Sequence, residues 1–157
     1  MPIGDGWAID QEVFDAICRL VPVNGVLLEF GSGSGTFAIA KTGRSVYAVE
    51  HDVAWVGKYP LIEYIYAPIV NGWYDADVVR KNLPVKYDCV LIDGPPKRYG
   101  RHGIMSHLDL LSDVPVILDD MQRNSECLLG AALSEVLCRP LIPSPITATG
   151  KMFGIIL

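Results

Sequence analysis

The stretch Val26-Leu27-Leu28-Glu29-Phe30-Gly31-Ser32-Gly33-Ser34-Gly35 decides the fold of this chain. Its apolar first half predicts a buried strand, and the glycines that follow predict a tight turn into a helix. Because glycine has no Cβ, such a turn lets a small ligand lie directly against the main chain. The stretch therefore predicts a strand, a ligand-holding turn and a helix in succession.

The spacing of these glycines favours one class of ligand over another. It is G-x-G-x-G, whereas the dinucleotide fingerprint G-x-G-x-x-G requires a glycine at position 36, which is Thr36 here. The next apolar run, residues 45–49, ends at Glu50. A carboxylate at that place can accept hydrogen bonds from both hydroxyls of a ribose. Together these features predict a nucleoside cofactor and argue against NAD.

The size and hydropathy of the chain fit a single α/β domain. Its 157 residues predict one domain over 1–157. Half of the residues are hydrophobic, and the mean hydropathy is +0.30. A parallel sheet covered on both faces explains this apolar composition, and an interface between copies in a homo-oligomer would add to it.

Charge and cysteine content exclude several classes of function. The net charge of −5 argues against broad binding to nucleic acid, which needs a basic surface. No apolar run approaches the roughly 20 residues of a membrane span, and residues 1–5 lack the features of a signal peptide. No C-x-x-C pair is present, so free thiols in a reducing cytoplasm are expected for the four cysteines, Cys18, Cys89, Cys127 and Cys138.

Strand-like and helix-like segments alternate along the chain. Strands are predicted over 26–30, 46–50, 61–67, 87–93, 114–118, 141–147 and 151–157. Helices are predicted over 10–20, 36–41, 52–56, 75–82, 102–111 and 125–137, with Asp10, Asp52 and Ser125 as N-caps. This pattern predicts a Rossmann-like, seven-stranded, mostly parallel sheet with helices on both faces.

Two details refine this sheet. Because only residues 148–150 join the last two strands, the last strand is expected to run antiparallel, and Pro143 and Pro145 place its predecessor at the sheet edge. The connection between Glu50 and Leu61 is shorter than the dozen or so residues that a parallel crossover usually takes. This connection is the weakest part of the prediction.

Acidic residues stand at or near the carboxyl ends of the predicted parallel strands. They are Glu29, Glu50, Asp93, Asp119 and Asp120. Ligands of open parallel sheets collect at this edge, so the five carboxylates are candidates for one shared site. Each acid also precedes a helix or turn that it could cap, and for any single acid both interpretations stand.

Three segments, residues 26–35, 46–52 and 87–96, resemble the class I S-adenosylmethionine (SAM)-dependent methyltransferases. The ordered motifs E-x-G-S-G, E-H-D, W-Y, D-G-P-P, R-Y and D-D-x-x-R are similar to a bacterial subgroup of that family, mostly of unassigned substrate. The resemblance covers nearly the whole chain. It implies a SAM-dependent enzyme, and we expect transfer to an oxygen of a small or carbohydrate-like substrate.

The resemblance also implies roles for individual residues. The turn would pass under the methionine part of SAM, with Gly31, Ser32, Gly33 and Gly35 as its cofactor-binding residues. Glu29 would help to hold the amino group of SAM, and Glu50 would bind the ribose hydroxyls. His51, or the segment at 67–68, would flank the adenine. Asp93 would lie where substrate and cofactor meet.

The same acids raise the question of a metal ion. Metal-dependent O-methyltransferases similar to catechol O-methyltransferase have an acid and an Asp-Asn pair where this chain has Asp93 and Asp119-Asp120. A hard cation such as Mg²⁺ takes oxygen ligands of this kind and acidifies a bound hydroxyl. This chain departs from that group by having Asp120 in place of Asn and Gly94-Pro95-Pro96 after the first acid.

Methyl transfer to a hydroxyl also needs a group that removes a proton. Lys97, four residues beyond Asp93, is a candidate general base, and the alternative is a solvated loop lysine. The basic stretch 97–102 predicts either attraction of an anionic or sugar-like substrate or a plain exposed loop. Arg123 is expected to neutralise the aspartate pair.

Two further functions stay open at this point. One is a non-catalytic module that binds the cofactor and acts through interactions, since the chain is small and has no unambiguous base. The other is an NAD-dependent oxidoreductase, which Thr36 disfavours.

Overall fold

The computed structural model describes residues 9–111 and 113–157 of the chain. The expectation for residues 1–5 lies outside this part. The described residues form the α-helices α1 (Gln11–Leu20), α2 (Ser34–Ala40), α3 (Ala76–Asn82) and α4 (Asn124–Leu137), with short 3₁₀ helices at His102–Ser106 and Leu108–Leu111. The strands are β1 (Val26–Phe30), β2 (Ser45–Glu50), β3 (Ile62–Tyr66), β4 (Ile69–Val70), β5 (Trp73–Tyr74), β6 (Cys89–Ile92), β7 (Val116–Leu118), β8 (Leu141–Pro143) and β9 (Gly154–Ile156).

Seven of these strands form one sheet in the order β3-β2-β1-β6-β7-β9-β8. Strand pairs from β3 to β7 are parallel, and β9 runs antiparallel to both β7 and β8. This confirms the predicted Rossmann-like sheet with a reversed last strand. β8, which contains Pro143, lies at the edge, where a missing N–H leaves no ladder bond unmade.

Both faces of the sheet are covered. Leu27 and Leu28 point to opposite faces of β1, and both side chains are fully buried. One face packs against α1 and α2 through Ile17, Leu27, Ile39, Val46 and Leu91. The other packs against α3, α4 and the 3₁₀ helices through Leu28, Phe30, Val79, Ile104 and Leu129. The apolar composition follows from this double cover.

The predicted helix at 52–56 is wrong. The Asp52 carboxylate accepts a hydrogen bond from the Ala54 N–H (2.9 Å), which closes a turn rather than a helix. Gly57 follows with a φ of +77°. The chain thus crosses from β2 to the parallel β3 through turns alone, and the short connection that weakened the prediction is real.

A short antiparallel hairpin of β4 and β5 is an element that the strand prediction missed. Its two central residues, Asn71 and Gly72, have φ values of +53° and +83°, the pattern of a type I′ turn. The hairpin matters for the site because it packs the rings of Trp73 and Tyr74 against Phe30, with ring centroids 5.2 and 5.9 Å away.

Other expectations are corrected at the ends of helices. Asp10 is the N-cap residue of α1, as predicted, but its carboxylate makes no capping hydrogen bond and instead accepts the hydroxyls of Thr147 (2.5 Å) and Thr149 (2.6 Å). Ser125 lies inside α4, which begins at Asn124. The segment 102–111 forms two 3₁₀ helices, not one continuous helix.

The four cysteines are free thiols, as predicted. None of the described helices has the length and apolar character needed to cross a bilayer.

Candidate functional site

The turn after β1 touches the ends of two neighbouring strands. The Gly31 N–H donates to the Val49 carbonyl of β2 (2.9 Å). A Cβ at Gly31 would lie 3.2 Å from the Gly94 nitrogen and 3.3 Å from the Asp93 carbonyl carbon, just beyond β6. The φ of Gly31 is +100°, so both space and backbone conformation require glycine. The turn therefore lies between Glu50, the last residue of β2, and Asp93, the first residue after β6.

Gly35 has a different role in the same stretch. A Cβ there would lie 2.6 Å from the Ile9 side chain and 3.0 Å from its backbone nitrogen. This glycine therefore lets α2 pack closely on the chain that leads into α1.

Glu29 is a buried carboxylate directly beside the turn. Its residue is 1% exposed, and its Oε2 has no hydrogen-bond partner among the described residues. Burial, with Asp93 and Glu50 adding to it, raises the pKa of Glu29 well above its ordinary value, although a hydrogen bond from Thr36 lowers it. The Thr36 hydroxyl oxygen also accepts the Gly33 N–H (2.8 Å), which ties Glu29 to the turn.

Glu50 is linked to the turn from the other side. Its Oε2 accepts the Ser32 hydroxyl (2.6 Å), and its Oε1 accepts the backbone N–H groups of His51 (2.7 Å) and Asp52 (2.9 Å). The His51 Nδ1 lies 3.0 Å from the same Oε1. Glu50 is thus fixed in orientation, with one oxygen already bound to a hydroxyl.

Asp93, Asp119 and Asp120 come together where β6 and β7 end, as their sequence positions predict. One carboxylate oxygen from each lies within 4.8 Å of the others. Arg101 lies among them and is only 3% exposed. Its Nη2 donates to Asp120 Oδ2 (2.8 Å), to Asp93 Oδ1 (3.1 Å) and to the Asp93 carbonyl (2.7 Å).

A second arginine completes this network. Arg123 Nη1 lies 2.9 Å from Asp120 Oδ2, which fits the expectation that it neutralises the aspartate pair. Beside Arg101 and Arg123, the pKa of Asp120 is lowered despite burial. Within the described part of the chain, Asp119 has no such side-chain partner. Burial and the charges of Asp93 and Asp120 raise its pKa to about 7.

The raised pKa of Asp119 predicts a pH-dependent stability. The folded state keeps this proton up to about pH 7, whereas the unfolded state loses it near pH 4. The free energy of unfolding therefore falls as the pH rises between these values. Asp119→Asn removes this pH-dependent contribution to the free energy of unfolding. The amide oxygen of the new side chain can still accept the Asp120 N–H, which donates to Asp119 Oδ1 (2.8 Å) in the native protein.

We expect the difference in unfolding free energy between Asp119→Asn and the native protein to grow in favour of the variant by about 2–3 kcal/mol from pH 5 to pH 7. Urea denaturation at each pH measures it. Asp113→Asn, at an exposed position, is the control and should show no such trend. A pH-independent difference for Asp119→Asn would contradict the assignment.

The three aspartates do not fit a divalent cation in this arrangement. Arg101 already occupies oxygen atoms of Asp93 and Asp120 that a hard cation would use. Its Nη1 also takes the Asp119 carbonyl oxygen (2.8 Å). The prediction that these three acids cluster is thus confirmed. The positive charge among them is the Arg101 guanidinium.

The loop after β6 folds over the end of β2. Arg98 Nη2 lies 3.5 Å from His51 Nε2, and the Tyr99 ring meets the His51 ring edge-on at 5.5 Å. Lys97, the predicted base, is exposed in this loop. The basic stretch 97–102 is therefore divided, with Lys97 in solvent and Arg101 buried among the acids.

Sequence reasoning singled out Tyr74 only within the W-Y motif and Arg101 only within the basic stretch 97–102, and it missed the position of both residues at this site. The Tyr74 hydroxyl is buried, has no hydrogen-bond partner among the described residues, and would overlap a Cβ at Gly94. Burial first, and then the charges of Glu50 and Asp93, raise its pKa well above 10. The turn dipeptide Asn71-Gly72 was a usable signal for the hairpin that places Tyr74 here.

Two cavities open away from the glycine turn. One, of about 390 Å³, lies between the hairpin, α3 and the first 3₁₀ helix, and Trp73, Tyr74, Arg80 and His107 are among its lining residues. The other, of about 410 Å³, lies between α1 and residues 144–147. Neither is lined by the glycine turn, over which the loop after β6 is closed.

Several solved structures have a similar architecture. One is the C-terminal domain of precorrin-6Y C5,15-methyltransferase from Rhodobacter capsulatus. Its alignment covers 99% of this chain and 92% of that chain, with a TM-score of 0.66 and 14% sequence identity. Another is an O-methyltransferase from Bacillus cereus in complex with S-adenosylhomocysteine (SAH). Its alignment covers 97% of this chain and 83% of that chain, with a TM-score of 0.66 and 13% sequence identity.

A third is an O-methyltransferase from Streptomyces achromogenes, involved in tomaymycin synthesis and in complex with SAM. Its alignment covers 98% of this chain and 82% of that chain, with a TM-score of 0.64 and 14% sequence identity. The sequence matches no protein-family model and no curated protein. At this level of identity the likeness establishes the fold, which this chain shares with SAM-dependent methyltransferases, and function has to be argued from the site.

Proposed function

We propose that this protein is a SAM-dependent methyltransferase that acts on an oxygen of a small or carbohydrate-like molecule. The observation that carries the proposal is the buried Glu29 carboxylate, with one oxygen lacking a partner among the described residues. It lies beside a glycine turn that contacts the ends of β2 and β6. Structures with this fold hold SAM or SAH.

The residues fit the parts of such a cofactor. The buried Glu29 carboxylate needs a positively charged partner, and the amino group of the cofactor would supply one. Glu50 Oε2 already accepts the hydroxyl of Ser32 (2.6 Å), the same kind of bond that a ribose hydroxyl would make. The Gly94 backbone fills the space beside Gly31, so the loop after β6 would have to move for the methionine part of the cofactor to lie along the turn. His51, beside Glu50, is the candidate neighbour of the adenine.

The bound cofactor would supply an activated methyl group on its sulfonium sulfur. The chain would align the acceptor oxygen in line with that methyl group and take up its proton. Asp93 is the candidate base, since its pKa is raised chiefly by burial and a raised pKa makes a carboxylate a better proton acceptor. Lys97, exposed in the same loop, is the second candidate.

Calorimetric titration with SAH tests cofactor binding. We expect a Kd of about 1–100 μM for the native protein. Glu50→Ala should weaken SAH binding at least about tenfold, because the ribose hydroxyls lose a charged acceptor. Glu63→Ala, at an exposed position of β3, is the matched control and should bind like the native protein. No heat at millimolar SAH with the protein folded, or preferential binding of NAD, would refute the proposal.

A non-catalytic module that binds the cofactor is a second candidate. Two observations favour it: Arg101 holds the Asp93 carboxylate, and Lys97 stands in solvent. Incubation with methyl-labelled SAM and a panel of small hydroxyl compounds and carbohydrates separates the two. Label transfer supports the enzyme, and SAH binding without transfer across the panel supports the module.

An NAD-dependent oxidoreductase is the third candidate. In the structure Thr36 has a structural role that is independent of NAD binding. Its hydroxyl joins the Gly33 N–H to Glu29. A nicotinamide fluorescence titration tests this candidate directly.

A further inference from the structure

Arg101 has contacts that a metal ion would be expected to make. Its guanidinium reaches the carboxylates of Asp93 (3.1 Å) and Asp120 (2.8 Å). It also reaches the main-chain carbonyls of Asp93 (2.7 Å) and Asp119 (2.8 Å). Carboxylate and carbonyl oxygens are the ligands that hard divalent cations prefer. One buried side chain thus takes four oxygen atoms of metal-ligand type.

We propose that Arg101 is the resident cation of this site and takes the place of a divalent metal. The native protein then binds no metal ion at Asp93, Asp119 and Asp120, and it gains a metal site when the Arg101 charge is removed. The proposed methyl transfer would accordingly proceed without a metal. Only this last consequence rests on the proposed function, because metal binding can be measured without it.

The spacing of the acids supports a site built around a single cation. Two ligands of one ion are separated by at most twice the metal–oxygen distance, about 4.2 Å for Mg²⁺ and about 4.6–5.2 Å for Ca²⁺. One oxygen from each aspartate lies within 4.8 Å of the others. With the guanidinium removed, a small shift of these side chains would bring them to one ion.

Charge explains why the arginine and a metal ion exclude each other. Arg101 is 3% exposed, and Arg123 adds a second positive charge 2.9 Å from Asp120. A dication at the same acids would stand beside a buried guanidinium that cannot lose its proton. In a buried site this repulsion is screened far less than in water.

The geometry also gives Arg101 a positioning role. It joins the loop after β6 to the end of β7, through the carbonyls of Asp93 and Asp119. Its planar fork fixes the direction of the Asp93 carboxylate. Lysine keeps the charge but lacks this fork, so Arg101→Lys separates the charge from the geometry.

Manganese binding to the purified, chelator-treated protein tests the proposal. Mn²⁺ takes the oxygen ligands that suit Mg²⁺ and Ca²⁺, and its electron paramagnetic resonance signal reports the free ion. We expect no binding by the native protein or by Arg101→Lys up to about 1 mM, and binding by Arg101→Met at about 0.1 mM or tighter, the range of weak oxygen sites. Arg101→Met/Asp119→Asn lacks one ligand and should bind at least about tenfold more weakly.

Arg101→Met removes a partner of the buried Asp120 carboxylate and of the partly exposed Asp93 carboxylate, so its folding is followed by circular dichroism with and without Mn²⁺. We expect Mn²⁺ to raise its melting temperature, or to restore its fold, and to leave the native protein unchanged. The proposal would be overturned if the native protein binds Mn²⁺ and the Asp119→Asn substitution abolishes this binding. So would an Arg101→Met variant that neither binds Mn²⁺ nor is stabilised by it.

A separate titration with SAH keeps the two proposals distinguishable. If the native protein binds no SAH while Arg101→Met gains Mn²⁺, the proposed function fails and the resident cation stands. If SAH binds and the native protein also takes Mn²⁺ at these aspartates, the reverse holds.

Discussion

Replacing Gly94 by alanine is expected to destabilise the protein by about 2–3 kcal/mol, the cost of overpacking a closely packed site. A Cβ at this position would overlap the Tyr74 hydroxyl oxygen and would lie 3.0 Å from Gly31 Cα. The added carbon must displace either the buried tyrosine or the glycine turn. We therefore also expect weaker SAH binding, because the turn is the proposed seat of the cofactor. Urea denaturation and SAH titration measure the two effects.

Tyr74→Phe provides the matched control for Gly94→Ala. Its lost hydroxyl is buried and has no partner among the described residues, so the single variant should be as stable as the native protein or slightly more stable. Gly94→Ala/Tyr74→Phe should recover much of the lost stability, leaving the cost of the 3.0 Å approach to Gly31. Additive effects of the two substitutions would show that Tyr74 and Gly94 are not in contact.

Glu29→Gln is expected to weaken SAH binding by about 10- to 100-fold while the fold is kept, since a charged partner of the amino group is replaced by a neutral one. Gln has the size of Glu and can still accept the hydrogen bond that Thr36 donates to Glu29. The stability effect has the opposite sign. Burial raises the pKa of Glu29, so the native carboxylate costs stability as the pH rises above about 4.5. The variant should gain on the native protein over that range.

Asp88→Asn is the matched control for Glu29→Gln. Asp88, just before β6, accepts the Val26 N–H at its Oδ2 (2.7 Å), at the opposite end of β1 from the turn. This variant therefore loses a carboxylate that contacts the same strand but lies away from the turn. It should bind SAH like the native protein. Equal SAH affinities of Glu29→Gln and the native protein would remove Glu29 from the cofactor site.

Most of the sheet could be predicted because local sequence decides it. Residues 26–30 form β1 with the predicted bounds, since an apolar run ended by glycine leaves few alternatives. Pro143 indicated the edge strand because proline lacks a ladder donor. The helix at 52–56 was wrong because a capping aspartate serves a turn as well as a helix, and Gly57 ends either.

The site was predictable only up to its charges. Strand-end positions brought Glu50 and Asp93 to the glycine turn, as the parallel topology requires. No local pattern distinguishes Arg101 from the exposed Lys97 in the same loop, because the burial of Arg101 depends on acids that arrive from β7. For the same reason, the sequence suggested a metal at acids that an arginine already holds.

We propose that the turn at Gly31 seats a SAM-type nucleoside between Glu50 and Asp93. The most direct test is a crystal structure of the protein with SAH. We expect the ribose hydroxyls within about 3 Å of the Glu50 carboxylate and the amino-acid part of SAH along the turn. SAH bound at another place, or a turn that stays closed against the loop after β6 at saturating SAH, would contradict it.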